Sequence, residues 1–173
     1  SDQEILRAAC YDDLTGILNR RTFIQRAREA ISLFARRQEP VSFLLIDLDD
    51  FKAINDKHGH YLGDAVLVHF AGTIRTRLRD YDLFGRYGGE EFAVLLPGTG
   101  REESLEIAER LRTAVEASSV ADVPEIRYTV SIGIITVMPE KDTDVEELYR
   151  LSDSALYLAK LRGKNRVAWL NRA

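Results

Sequence analysis

The chain has a single cysteine, Cys10, among its 173 residues. That excludes an intrachain disulfide and any zinc site built on cysteine pairs, and it suits a reducing compartment. An excess of cations is lacking too: 24 Lys and Arg stand against 28 Asp and Glu, a formal net charge of −4. No global basic field therefore draws the chain to nucleic acid or to an anionic membrane, and no nucleic-acid partner is expected. A polyphosphate ligand would have to be met locally, by metal ions and a few placed lysines. Long apolar runs are missing as well. The longest, Ile132–Met138, is broken by Gly133 and Thr136 and falls far short of a membrane span. No signal peptide, low-complexity tract or internal repeat is visible. The expectation is a cytoplasmic domain, with membrane attachment of the parent protein left open.

What is present is ordinary for one globular domain: 45% hydrophobic and 30% charged residues. Residues 1–11 read as the polar end of an upstream signalling helix or linker, and 12–173 as the domain itself. Phe23, Ala27, Ala30, Ile31 and Phe34 share a helical face, predicting a helix over about 20–37 that Pro40 closes. Val41–Ile46 is almost wholly apolar, the pattern of a strand buried on both faces. Similar stripes predict helices over about 62–79, about 101–118 and from Val145 to Leu158. Alternation from Tyr128 to Ile134 and the run Arg166–Leu170 predict two more strands. With the hairpin below, the order is β-α-β-β-α-β followed by a helix and a strand. The fold class expected is α/β (α+β) with a ferredoxin-like βαββαβ core, extra helices and a C-terminal strand.

The densest chemistry lies at Gly88-Gly89-Glu90-Glu91-Phe92, between Leu83–Tyr87 and Phe92–Leu96, two runs rich in β-formers. Two glycines there predict a tight hairpin turn made by Gly88 and Gly89, whose bare backbone lets a ligand approach. Two carboxylates leave that turn. An ordinary hairpin with solvated charges is the plainer reading. In the expected fold the first strand lies beside the hairpin's second strand. The first strand ends in Asp47-Leu48-Asp49-Asp50, and period 2 puts Asp47 and Asp49 on one face. Buried carboxylates are costly unless paired or metal-bound. Asp47, Glu90, Glu91 and a main-chain carbonyl could hold two magnesium ions. Alternatively Asp47 caps a helix or pairs with Lys52. Asn55 and Asp64 flank what reads as a loop, where each could cap a helix or bond a guanine edge. His58 and His60 lack a suitably spaced third ligand and read as loop histidines.

Five ordered motifs now resemble one family. Asp12-Asp13-Leu14-Thr15-Gly16-Ile17-Leu18-Asn19-Arg20 is similar to D-x-L-T-G-L-x-N-R, with Ile17 for Leu. Asp47–Lys52 matches D-x-D-x-F-K, and Asn55–Asp64 matches N-D-x-x-G-H-x-x-G-D. Gly88–Phe92 is a GGEEF pentapeptide, and Ala159–Asn165 resembles A-K-x-x-G-[KR]-N. On these the chain resembles the GGDEF-domain diguanylate cyclases from Asp12 to about Trp169.

The resemblance implies a fold of nucleotidyl-cyclase or polymerase-palm type that condenses two GTP into cyclic di-GMP across a homodimer. It implies two Mg2+ ions per site, with Mn2+ a substitute, held by Asp47, the Leu48 carbonyl and Glu90, with Glu91 sharing the site. Asn55 and Asp64 would read guanine, with Leu14 and Leu67 walling the base and Gly88 and Gly89 against the nucleotide. Lys52, Lys160 and Lys164 would meet the triphosphate; the last two would also complement a helix C-terminus. The spacing Arg79-x-x-Asp82 before Gly88 resembles the family's product-inhibition site, to which Arg110 would add a further arginine. Arg79 and Asp82 could equally form a junction ion pair. An upstream sensor domain is the implied partner. The alternative is a degenerate member that only binds GTP or cyclic di-GMP.

Overall fold

A computed structural model describes residues 1–170. In chain order these form α1 (Asp2–Cys10), α2 (Arg20–Arg37), β1 (Val41–Leu48), α3 (Phe51–His58) and α4 (His60–Arg75). Then come β2 (Leu83–Gly88), β3 (Glu91–Pro97), α5 (Arg101–Ala117), β4 (Val130–Val137), α6 (Val145–Leu161) and β5 (Val167–Trp169). Every residue of β1 is buried, so this strand has to lie inside the sheet with both faces covered. The sheet order is β2-β3-β1-β4-β5, antiparallel throughout except for the β4–β5 pair. The first four of these strands have the ferredoxin-like order that the sequence predicts.

Alternation along β1 feeds two cores. Leu44 and Ile46 face Phe70 and Ile74 of α4 and Leu111 of α5, together with Phe92 and Val94 of β3. Phe43 and Leu45 face Phe23 and Ile31 of α2 and Leu148 and Leu156 of α6. One close approach sets the site. A Cβ on Gly133 would stand 2.2 Å from the Ser152 carbonyl oxygen and 2.3 Å from the Leu156 nitrogen. Only glycine lets α6 press its backbone onto β4. That seating carries the end of α6 to the carboxylate end of β1.

Three local expectations change. The stretch between Asn55 and Asp64 is helical on both sides of Gly59, not loop; α3, with Phe51 its only buried residue, shows no apolar stripe. Helix α4 runs from His60 to Arg75, not from 62 to 79. Leu78 continues the apolar period because it packs on the core from the turn beyond the helix. The two-residue hairpin turn is Gly89-Glu90, since Gly88 pairs with Glu91 after a bulge, and only Gly89 takes a positive φ, of 25°. Helix α1 buries no residue and is held by a Ser1–Glu4 capping box. No helix among the described residues is long and apolar enough to cross a membrane.

Candidate active site

The strand register puts the end of β1 beside the start of β3. Asp47 and Glu91 are direct cross-strand partners, and the Leu48 N–H donates to the Glu90 carbonyl at 3.2 Å. Asp47 is 8% exposed, and its Oδ1 has no hydrogen-bond partner. Its Oδ2 accepts from the Lys160 ammonium, delivered by α6. Burial pushes the Asp47 carboxyl up to about 6; the Glu90 and Glu91 charges add to this, and Lys160 opposes it. An orphaned buried carboxylate oxygen with a cation already on its twin is a place for positive charge. The oxygen-only donors around it suit a hard divalent ion. The acids are not gathered into a ready-made metal cluster among the described residues. Lys160 supplies the positive charge that Asp47 Oδ2 meets.

Asp49 has a different task. It is buried and accepts from Thr129 Oγ1 at 2.7 Å, Ser131 Oγ at 2.6 Å and the Asn165 N–H at 2.9 Å. It therefore ties β1 to β4 and to the loop after α6. That loop takes positive φ at Gly163, Lys164 and Asn165 and brings Lys164 to Asp50 Oδ1 at 2.5 Å. Lys52 is exposed and its side chain makes no hydrogen bond or ion pair among the described residues.

Neither Asn55 nor Asp64 caps a helix. Asp50 and Gly59 occupy the N-cap positions of α3 and α4, so the capping alternative fails. Asn55 lies against Gly63, where an added Cβ would fall 1.7 Å from Asn55 Oδ1. Asn55 thereby sits beside the residue preceding Asp64. Asp64 is exposed with no hydrogen bond to its carboxylate among the described residues, so its acceptors are free. Leu67 is buried, and half-buried Leu14 packs on the same core. His58 and His60 close α3 and open α4 on either side of Gly59.

Arg79 grips Asp82 through Nε at 3.1 Å and Nη2 at 3.0 Å, and Asp82 also accepts the Arg79 backbone N–H at 2.8 Å. Arg79 reaches Thr99 Oγ1 at 2.7 Å and Glu103 at 3.5 Å, and it lies over the Tyr81 ring. The junction ion pair is therefore present. The Arg110 side chain is exposed and unpaired among the described residues, two helical turns after Glu103 on α5.

The family profile described as "Diguanylate cyclase, GGDEF domain" matches residues 9–166. The chain belongs to the GGDEF family. It is 41% identical over 166 residues to diguanylate cyclase DgcM of Escherichia coli K12, covering 96% of this chain and 40% of that one. It is 42% identical over 165 residues to the response regulator PleD of Caulobacter vibrioides, covering 94% and 36%. The chain thus spans about two fifths of these relatives' length. The coiled coil and GGDEF domain of DgcB from Caulobacter crescentus, solved with c-di-GMP, superposes with a TM-score of 0.89. That pair is 26% identical, with 97% of this chain and 89% of that one covered.

Two site elements of this GGDEF domain escape the residue-by-residue reading. Arg86 donates to the Gly89 carbonyl at 3.0 and 2.8 Å and to Asp12 at 3.3 Å, strapping the hairpin turn to the opening segment. Burial would lift the Asp12 carboxyl, but hydrogen bonds from Thr15 and Arg86 with the Arg86 charge hold it below its ordinary value. An arginine two residues before the glycine pair was the signal available. Tyr149 donates to Glu91 Oε1 at 2.6 Å. It lies in an apolar helical stripe, where a tyrosine reads as core.

Proposed function

We propose that this GGDEF domain condenses two GTP molecules into cyclic di-GMP. In each of two steps the 3′-hydroxyl of one GTP attacks the α-phosphorus of the other. A P–O bond forms, the bond to the β-phosphate oxygen breaks, pyrophosphate leaves, and the hydroxyl proton passes to a nearby base. The observation that carries the reading is the pairing of Asp47 with Glu91 across the sheet, with a buried Asp47 oxygen left unpartnered.

A divalent ion is consistent with the family. Our assignment is two Mg2+, or Mn2+, held by Asp47, the Leu48 carbonyl and Glu90 with Glu91 beside them. When bound, the ions lower the hydroxyl's pKa and offset charge at phosphorus. The protein's own part is placement. Lys160 stands ready to move from Asp47 to a phosphate, and Lys52 and Lys164 are the further cations for the triphosphate. Asp64 accepts from guanine N1–H and N2–H while Asn55 bonds elsewhere on the base edge, and Leu14 and Leu67 wall it. Each protomer presents one GTP, so chemistry requires a homodimer set by an upstream sensor. Cyclic di-GMP bound at Arg79, Asp82 and Arg110 inhibits; the likeness to the DgcB structure with c-di-GMP supports a ligand of this class.

The test is incubation with GTP or ATP and Mg2+, with pyrophosphate and cyclic di-GMP both followed. GTP turned over to cyclic di-GMP, with ATP and inosine triphosphate poor substrates, is expected. Binding of GTP without turnover would mark a receptor module instead, and equal use of ATP would remove the guanine roles of Asp64 and Asn55.

A further inference from the structure

Tyr149 belongs to no motif of the opening or closing segments, yet its hydroxyl reaches the carboxylate pair. Its ring lies flat on Tyr87, with centroids 4.9 Å apart and planes 8° from parallel. Tyr87 is itself fixed. It meets Phe23 and Phe43 edge-on, and the Arg20 guanidinium lies 4.9 Å above its ring. Tyr87 is on β2, the strand that leads into the hairpin, and Tyr149 is on α6, the helix that delivers Lys160. The stack therefore clamps a helix side chain to the hairpin. With the ring held, the hydroxyl stands 2.6 Å from Glu91 Oε1. Among the described residues this is the sole hydrogen bond received by the Glu91 carboxylate.

We infer that Tyr149 is a positioning residue that aims the Glu91 carboxylate into the metal site. The inference rests on the reading of Asp47, Glu90 and Glu91 as the cyclase's acid cluster. A glutamate at a strand end has three side-chain torsions, and an unrestrained carboxylate spreads over several rotamers. One strong donor on Oε1 selects among them and leaves Oε2 for its partner in the reaction. A phenol suits the task because it is a neutral donor near pH 7. It orients the charge without cancelling it, unlike the ammonium of Lys160 on Asp47. The stack supplies the rigidity, and the hydroxyl supplies the direction.

Tyr149→Phe removes the hydroxyl and keeps the ring. Three measurements on it decide the matter: the thermal midpoint, GTP kinetics from pyrophosphate release, and Mn2+ binding without nucleotide, followed by electron paramagnetic resonance. The expected result is an unchanged midpoint, kcat lower by about tenfold, and KM for GTP within about twofold, as loss of a hydrogen bond to a charged group predicts. Mn2+ should bind severalfold more weakly. In a Glu91→Gln background the same change should leave Mn2+ binding unaltered. A normal kcat, unchanged Mn2+ affinity, a further loss in the Glu91→Gln background, or an unfolded Phe variant each overturns the inference. The last would make the hydroxyl a structural group. Wild-type protein that turns over no GTP sinks the parent reading and takes this inference with it. Wild type that makes cyclic di-GMP beside an unimpaired Phe variant sinks the inference alone.

Discussion

Asp47 and Asp49 are two residues apart, are both buried, and have opposite relations to their surroundings. Asp49 is saturated by donors, whereas Asp47 has an unpartnered oxygen and a carboxyl raised to about 6. A raised carboxyl pKa means that the folded state holds the charged form at a cost. The cost is present above pH 6 and gone below the ordinary carboxylate value. Asp47→Asn should therefore stabilise the metal-free protein at pH 7, by on the order of 2 kcal/mol. The gain should shrink as pH falls through 6 and vanish near 4. Urea unfolding in a chelator at several pH values checks this; a gain constant across pH would contradict it. The same variant, like Glu90→Gln, should lose turnover by about 10²-fold or more. Asp49→Ala is expected to do the reverse to stability. It strands buried hydroxyl and amide donors and should cost about 2–3 kcal/mol, read by the same unfolding experiment.

At the scale of elements, the site depends on how α6 sits on β4. Gly133→Ala puts a methyl against the backbone at Ser152 and Leu156, which no side-chain rotation can relieve. It should cost about 1–3 kcal/mol and lower activity by shifting Lys160 and Tyr149 together. A variant with wild-type stability would show that the helix can slide freely. The helix α2, the strand β1 and the helix α6 were legible because long apolar stripes with period 3.6 or a fully apolar run leave little choice. Helix α3 was not, since it is short and buries only Phe51. The placement of Asp47 beside Glu91 was readable from motif order and from a buried strand ending in acids. Tyr149 was not, because its hydroxyl's partner is distant in sequence and its ring fits an ordinary core stripe. Arg79 joins the start of β2 to Thr99 and to Glu103 of α5, so a ligand there would reach elements on both sides of the hairpin. Arg79→Ala should relieve inhibition by cyclic di-GMP while the initial rate stays near wild type. Calorimetry with cyclic di-GMP on both proteins checks it, and equal affinities would leave Arg79 and Asp82 as a junction ion pair only.

For the whole molecule, one sheet carries everything. Its β1 end holds the carboxylates, α6 supplies Lys160 and the loop after it Lys164, and the α3–α4 pair holds Asn55 against Gly63, the residue before Asp64. A net charge of −4 leaves electrostatic attraction of GTP to those few lysines and to divalent ions, not to the protein as a body. Since one site holds one GTP in our reading, rate per protomer should rise with protein concentration until the dimer is saturated. The most direct test of the central claim is chromatographic detection of cyclic di-GMP formed from GTP and Mg2+ by the purified protein, alongside pyrophosphate. The account predicts one pyrophosphate per GTP and half that amount of cyclic di-GMP, both abolished in Asp47→Asn. GTP that binds yet yields neither product, or product formation that survives loss of Asp47, would contradict it.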